Sequence, residues 1–132
     1  MMTTILLVDD DPLQAYVRRS LLERRFDHVE RATDAAEALI LLEEPLFKRN
    51  LGLVIAGLHL PGMGGQAFVA ELISRFPFVP VLVLGRSGEK TSDFPGQNVR
   101  FLPRPISAEN MLSAARQLLD QYRGDALEAA VA

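Results

Sequence analysis

Three consecutive acids are the first group in the sequence that could do chemistry. Asp9, Asp10 and Asp11 directly follow residues 4–8, an apolar run typical of a buried strand. Carboxylate oxygens are the ligands that hard cations such as Mg²⁺ prefer. Two interpretations stay open: a cation pocket, or an acidic loop in which Asp11 caps a helix that begins at Pro12.

Three further positions follow apolar runs elsewhere in the chain. Gly57, Gly85 and Arg104 come after the runs at 51–56, 79–84 and 99–102. Because the carboxyl ends of parallel strands meet at one edge of a sheet, we expect these positions beside the three acids. Glycine carries neither a nucleophile nor a ligand, so the chemistry of this edge depends on the acids and Arg104.

The elements that position these residues alternate between short apolar runs and amphipathic segments. The predicted strands are residues 4–8, 28–32, 51–56, 79–84 and 99–102. The first three predicted helices begin at Pro12 and span 33–44 and 66–75, and the last spans 107–122. The fourth helix in chain order would lie between Gly85 and Arg104, where Pro95-Gly96 interrupts it. Five βα units predict an α/β fold: a flavodoxin-like (βα)5 doubly wound parallel sheet with strand order 2-1-3-4-5.

The apolar spacing also predicts which helix faces are buried. In the first helix the predicted inner face is Leu13, Val17, Leu21 and Leu22, and in the second it is Ala35, Ala38, Leu39 and Leu42. Ile40 and Leu41 fall outside the inner face of the second helix. They are interpreted either as a small contact patch or as scattered surface residues.

Composition limits the class of protein. The chain has 132 residues, of which 48% are hydrophobic and 23% charged, as in a folded domain. We predict one domain over residues 1–123, with 124–132 a tail or the start of a linker. The net charge of −3 and the lack of a basic patch argue against direct nucleic-acid binding.

Other function classes are excluded by what the sequence lacks. It has no cysteine, which excludes disulfides and thiolate metal sites. No apolar stretch approaches the roughly 18 residues of a membrane span, and the start of the chain lacks a basic leader. A cytoplasmic location is the expectation. The stretch GRSGEKT at 85–91 fails the phosphate-loop pattern, because Leu84 and Glu89 stand where glycines are required.

Five stretches together resemble one known family over residues 4–122. They are ILLVDDDP at 5–12, ATDAAEAL at 32–39, LVIAGLHLPGMGG at 53–65, PVLVLG at 80–85 and FLPRPIS at 101–107. In this order and spacing they are similar to the CheY-like receiver domain of two-component response regulators. The resemblance implies a Mg²⁺-dependent domain that accepts a phosphoryl group from a histidine kinase onto one aspartate.

The resemblance assigns the metal positions to acids that are present. Asp9 and Asp10 match the acidic pair that holds Mg²⁺. His59 stands where the family uses a backbone carbonyl as a ligand. Its side chain is interpreted as that of a solvated loop histidine, not as a phosphorylated one. Since a carboxylate is missing from the set, we expect weak Mg²⁺ binding at most, and no other cofactor.

The other family positions depart from the pattern. The acceptor aspartate aligns with Gly57, the switch Ser/Thr with Gly85, the phosphate-pairing lysine with Arg104 and the switch aromatic with Phe101. Gly57 is also expected to supply a tight turn with positive φ. The planar fork of Arg104 suits a bidentate bridge to Asp9 or Asp10, which would replace both metal and lysine.

These departures predict a degenerate receiver, or pseudo-receiver, that is no enzyme and acts by protein–protein contact. The resemblance implies a contact face made by the fourth helix, fifth strand and fifth helix, on or near which Phe101, Arg104 and Met111 lie. Partners would be a sensor histidine kinase, another regulator, an output domain or a second copy of the chain. Two alternatives stay open: a receiver phosphorylated on Asp10 or Asp11, and a small metal-dependent phosphatase.

Overall fold

A five-stranded parallel sheet in the order β2-β1-β3-β4-β5 forms the centre of the molecule, as predicted. The computed structural model describes residues 3–85 and 98–131, with side chains described as far as residue 122. The strands are β1 Thr4–Val8, β2 His28–Ala32, β3 Leu51–Gly57, β4 Val81–Gly85 and β5 Val99–Pro103. The helices are α1 Pro12–Glu23, α2 Ala35–Leu41, α3 Pro45–Asn50, α4 Gly65–Arg75 and α5 Ala108–Val131.

Each face of the sheet carries its own apolar layer, because successive side chains of a strand point to opposite faces. One layer joins Leu6, Val8, Val54 and Ala56 to residues of α2 and α4. The other joins Ile5, Leu7, Leu53 and Ile55 to residues of α1 and α5. Strands β1 and β3 are therefore buried on both faces, which explains their continuous apolar runs.

The first helix begins where the sequence predicts, but it turns a different face inward. Asp11 caps α1 by accepting hydrogen bonds from the N–H groups of Leu13 and Gln14. Leu22 and Ala15 are buried, whereas the predicted inner residues Leu13 and Val17 are exposed. Positions two residues from Ala15 lie about 200° around the helix from it, so they cannot share its face. The predicted placement of Leu13 and Val17 in the core is wrong.

The predicted helix over 33–44 is divided in two. Asp34 caps α2 by accepting from the N–H of Glu37 at 2.8 Å, but α2 ends at Leu41 and a separate helix, α3, starts at Pro45. Proline lacks the N–H that would continue a helix and favours a first-turn position, which explains the break. Ile40 is exposed as expected, while Leu41 packs partly buried against the core.

Later element boundaries differ by a few residues. Strand β4 starts at Val81, after Pro80, rather than at 79, and α5 continues past the predicted end at 122 to Val131. The peptide bond between Arg104 and Pro105 is cis. The predicted interruption at Pro95-Gly96 lies outside the described residues. Among those that are described, no helix has the length and apolarity to cross a membrane.

Candidate functional site

The candidate residues meet at the carboxyl edge of the sheet, as predicted. Val8 pairs in register with Ala56, which places Asp9 beside Gly57 on the adjoining strand. Gly57 in turn pairs with Leu84, next to Gly85. The N–H of Arg104 donates to the carbonyl of Gly85 at 2.8 Å. One short edge therefore presents the ends of four neighbouring strands.

Asp9 is buried and already bound by an arginine. Its Oδ2 accepts from Nη1 of Arg18 at 3.0 Å, and the two side chains are only 6% and 12% exposed. Its Oδ1 accepts from the N–H of Asp11 at 3.1 Å. Both carboxylate oxygens are therefore engaged within the protein, and the charge of Asp9 is compensated from helix α1.

A second guanidinium reaches the same strand end from β2. Arg31 donates from Nε and Nη2 to the backbone carbonyl of Asp9, at 3.1 and 2.9 Å. The two arginines thus hold the side chain and the main chain of one residue. Such two-point contacts suit the planar guanidinium fork.

Arg104 does not make the predicted bridge among the described residues. Its side chain is exposed, and Asp9 pairs with Arg18 instead. Burial lowers the pKa of the Arg18 guanidinium, Asp9 opposes that change, and the positive charge of Arg104 lowers the pKa further. Arg104 therefore adds a third positive charge near the edge and leaves the binding of Asp9 to Arg18.

The other two acids do not complete a cation site. Asp10 is exposed, and Asp11 serves as the cap of α1. Among the side chains of residues 3–85 and 98–122, no group of three acidic or histidine residues has a metal-binding arrangement. The edge carries Asp9, Asp10 and Asp11 together with Arg18, Arg31 and Arg104, so its formal charges cancel. These residues do not fit the Mg²⁺ that the resemblance implies, since a hard dication needs an excess of oxygen ligands and negative charge.

Gly57 is not required by the backbone. It ends strand β3 without positive φ, so the expected left-handed turn at this residue is wrong. A Cβ added here would meet nothing closer than Cδ2 of Leu60, at 3.9 Å. Position 57 would therefore accommodate a side chain, yet it carries none.

The turn after β3 depends on other glycines. Gly62 and Gly64 adopt positive φ. At Gly65 an added Cβ would approach the carbonyl oxygens of Gly57 and Leu58 to 2.4 Å. The N–H of Gly65 donates to the Leu58 carbonyl at 2.9 Å, so the start of α4 packs directly onto the strand end. The closely packed turn thus follows position 57, which carries no nucleophile.

The remaining predicted site residues lie mostly in the interior. Gly85 is buried at the end of β4, and Phe101 packs in the core layer that includes Val83. Met111 is buried as well. Of the predicted contact residues, only Arg104 is on the surface, so Phe101 and Met111 are corrected from candidate contacts to core residues. His59 is exposed on the loop after β3.

Comparison with known proteins decides the family. The family model described as the response regulator receiver domain matches residues 5–116. The chain belongs to the response regulator receiver family. The two-component response regulator ORR24 of Oryza sativa subsp. indica is 31% identical over 125 residues, which cover 92% of this chain and 20% of ORR24.

Bacterial relatives extend the similarity of this receiver domain. The response regulator protein FleR of Pseudomonas aeruginosa is 30% identical over 137 aligned positions, covering the whole chain and 28% of FleR. The receiver domain of an HD domain-containing protein from Pseudomonas fluorescens Pf-5 superposes with a TM-score of 0.82 at 27% identity, covering 94% and 99% of the two chains. The receiver chain thus spans less than a third of the length of the curated relatives ORR24 and FleR.

An apolar groove lies beside the acidic edge of the receiver, between α1 and the start of α5. It has a volume of about 400 Å³, and its lining includes Leu13, Val17, Arg18, Ile106 and Met111. Leu13 is 74% exposed, and Tyr16 on the same helix is 72% exposed. Large exposed apolar side chains grouped beside a groove are typical of a protein contact surface.

The two arginines that hold Asp9 were not predicted from the sequence. A signal for Arg18 was present: it follows Ala15 by three residues and precedes Leu22 by four, so it shares their inward face. A charged residue on an inward face needs a partner, because burial of an unpaired charge is costly. Arg31 sits at the end of a half-buried strand and carried no such signal.

Proposed function

We propose that this receiver domain takes up no phosphoryl group and acts in two-component signalling through protein–protein contact. The observation that carries the proposal is Gly57, which has no nucleophile although its backbone does not need glycine. Phosphoryl acceptance in this family is nucleophilic catalysis by a carboxylate. Without a carboxylate at the end of strand β3, the phosphoryl group has no acceptor at this position.

The surrounding charges support the same conclusion. Transfer of a phosphoryl group requires stabilisation of the charge that develops on its oxygens. At this edge Arg18 is engaged by Asp9, and Arg31 by the Asp9 carbonyl. Two of the three arginines therefore make structural contacts, and of the three only the exposed Arg104 is available to bind an anion.

The contact surface we propose is the groove between α1 and α5, with Leu13 and Val17 as its exposed apolar residues. The predicted face around the fifth strand is less suited in its described part, since Phe101 is buried. The partner is a protein of the two-component class: a sensor histidine kinase, another regulator or an output domain. Burial of these exposed side chains would supply the favourable free energy of binding.

Intact-mass measurement after incubation with acetyl phosphate and Mg²⁺ tests the proposal. We expect the natural protein to keep its mass and the Gly57→Asp variant to gain one phosphoryl group in part of the sample. A sample without Mg²⁺ is the control for non-specific acylation or phosphorylation. A phosphoryl group on the natural protein would refute the proposal, and peptide mapping would then show whether Asp10 or Asp11 accepts it.

The phosphatase alternative receives no support from the described residues. Asp9 is bound by Arg18, Asp11 caps a helix, and the charges at the edge cancel. Hydrolysis of p-nitrophenyl phosphate in the presence of Mg²⁺ gives a direct test. We expect a rate equal to that of the buffer alone, and turnover that disappears in an Asp9→Asn variant would favour the enzyme.

A further inference from the structure

We infer that Arg18 is a built-in counter-ion that takes the place of a divalent cation at Asp9 and weakens metal binding at the acidic edge. The inference rests on the proposed loss of phosphoryl chemistry and adds what occupies the site instead. It also explains how Asp9 can remain charged and buried in a domain without a metal ligand at Gly57.

The Arg18–Asp9 contact is short and mostly shielded from solvent. Nη1 of Arg18 lies 3.0 Å from Oδ2 of Asp9, and the two side chains are 12% and 6% exposed. The charge of Arg18 therefore acts at short range and is only partly screened by water. A dication bound to Asp9 would have to lie beside this guanidinium, and the repulsion between them would oppose its binding.

The Arg18–Asp9 pair differs from the surface ion pair on the same helix. Arg19 pairs with Glu23 one turn away at 3.2 Å, but both side chains are about half exposed. Exposed pairs of that kind contribute little to stability. Arg18 instead joins helix α1 to the end of strand β1, and its side chain is only 12% exposed.

This arrangement has a consequence for the contact surface. Arg18 lines the groove together with Leu13 and Val17, so the pair ties the groove wall to the strand that carries Asp9. Because the tie is internal, the groove keeps its shape with or without Mg²⁺. The surface we propose for partner binding is then presented constitutively.

A Mg²⁺ titration in the Gly57→Asp background tests the inference. In that background Asp9, Asp10 and position 57 all carry a carboxylate. Isothermal titration calorimetry then measures the effect of Arg18 on Mg²⁺ affinity directly. We expect Arg18→Leu to tighten the Mg²⁺ affinity of Gly57→Asp about tenfold or more. The matched control is Arg19→Leu, which removes the same charge from the same helix and should change the affinity less than about twofold.

Two additions keep the test decisive if Arg18→Leu folds poorly. Arg18→Gln removes the charge but keeps an N–H donor for Asp9, and it should tighten Mg²⁺ binding in the same direction. In the natural protein, Mn²⁺ should cause no selective broadening of the Asp9, Asp10 and Asp11 amide signals in a ¹H–¹⁵N spectrum. Selective broadening there, or equal Mg²⁺ affinity of Gly57→Asp with and without Arg18, would overturn the inference.

The inference and the proposed function fail separately. A natural protein that binds Mn²⁺ at these amides yet gains no phosphoryl group would overturn the role of Arg18 and leave the proposed function intact. A natural protein that gains a phosphoryl group would refute the proposed function, whatever the affinity measured in the Arg18 variants.

Discussion

The ends of the two adjacent strands β1 and β3 present different groups at the same edge of the sheet. The β1 end carries acids, and Arg18 and Arg31 bind Asp9. The β3 end carries no side chain at Gly57, and it is followed by a closely packed turn in which Gly65 contacts the strand. The β1 end thus holds charged groups that are paired within the protein, whereas the β3 end holds a well-packed backbone without a charged group.

The charged groups and the backbone shape of this edge depend on different contacts. The turn after β3 is held in place because α4 packs onto it, so it is part of the fold. Asp9 is held in place because it is buried and paired, and removing a buried charge or its partner is costly. Gly57 has neither constraint: the backbone does not need it, and the space around it is open.

The largest effect on stability should come from breaking the buried pair at the β1 end. Arg18→Leu leaves Asp9 without its counter-charge, and we expect a loss of about 3 kcal/mol in the free energy of unfolding. Arg19→Leu should cost less than about 0.5 kcal/mol, because its pair is on the surface. Urea denaturation measures both, and equal losses would contradict the distinction between the two arginines.

The β3 end offers a matched pair of glycines with a smaller effect. Gly65→Ala should cost about 2 kcal/mol, because its Cβ would overlap two backbone carbonyl oxygens. Gly57→Ala should leave stability unchanged or raise it by up to about 1 kcal/mol, since its φ is not positive and its surroundings are open. Thermal and urea unfolding of the two variants provides the test. A large loss in Gly57→Ala would show that the backbone does need glycine there.

The smallest effect on stability is expected in the groove, where the effect on binding should be large. The double variant Leu13→Gln/Val17→Gln changes exposed side chains, so its free energy of unfolding should fall by less than about 0.5 kcal/mol. Affinity capture from an extract of the source organism, followed by titration with the purified captured protein, measures partner binding.

A matched control is available far from the groove. Phe78 is also a large exposed apolar residue, but it lies before β4, at the opposite edge of the sheet. Phe78→Gln should bind the captured partner as the natural protein does. If it loses binding while the groove variant keeps it, the contact surface has been assigned to the wrong side of the molecule.

The strands and their order were predictable because a doubly buried strand needs a continuous apolar run, as in residues 4–8 and 51–56. The place of the site followed from the same rule, since Asp9, Gly57 and Arg104 come directly after such runs. Local caps were equally visible, and Asp11 and Asp34 act as predicted.

What could not be predicted depends on tertiary contacts. The inward face of α1 is set by its docking on β2 and α5, which exposes Leu13 and Val17 against their apolar character. The partner of Asp9 had to be chosen among several arginines, and proximity along the sheet edge favoured Arg104. In the structure Arg18 reaches Asp9 from helix α1, and the apolar runs that predict the strand ends carry no information about that contact.

The central claim, that the phosphoryl site is disabled while its scaffold survives, is tested most directly by the intact masses of the natural protein and Gly57→Asp. After acetyl phosphate and Mg²⁺, the account predicts an unchanged mass for the natural protein and a phosphorylated fraction for the variant. A phosphoryl group on the natural protein would contradict the account, because another residue would then have taken over the acceptor role.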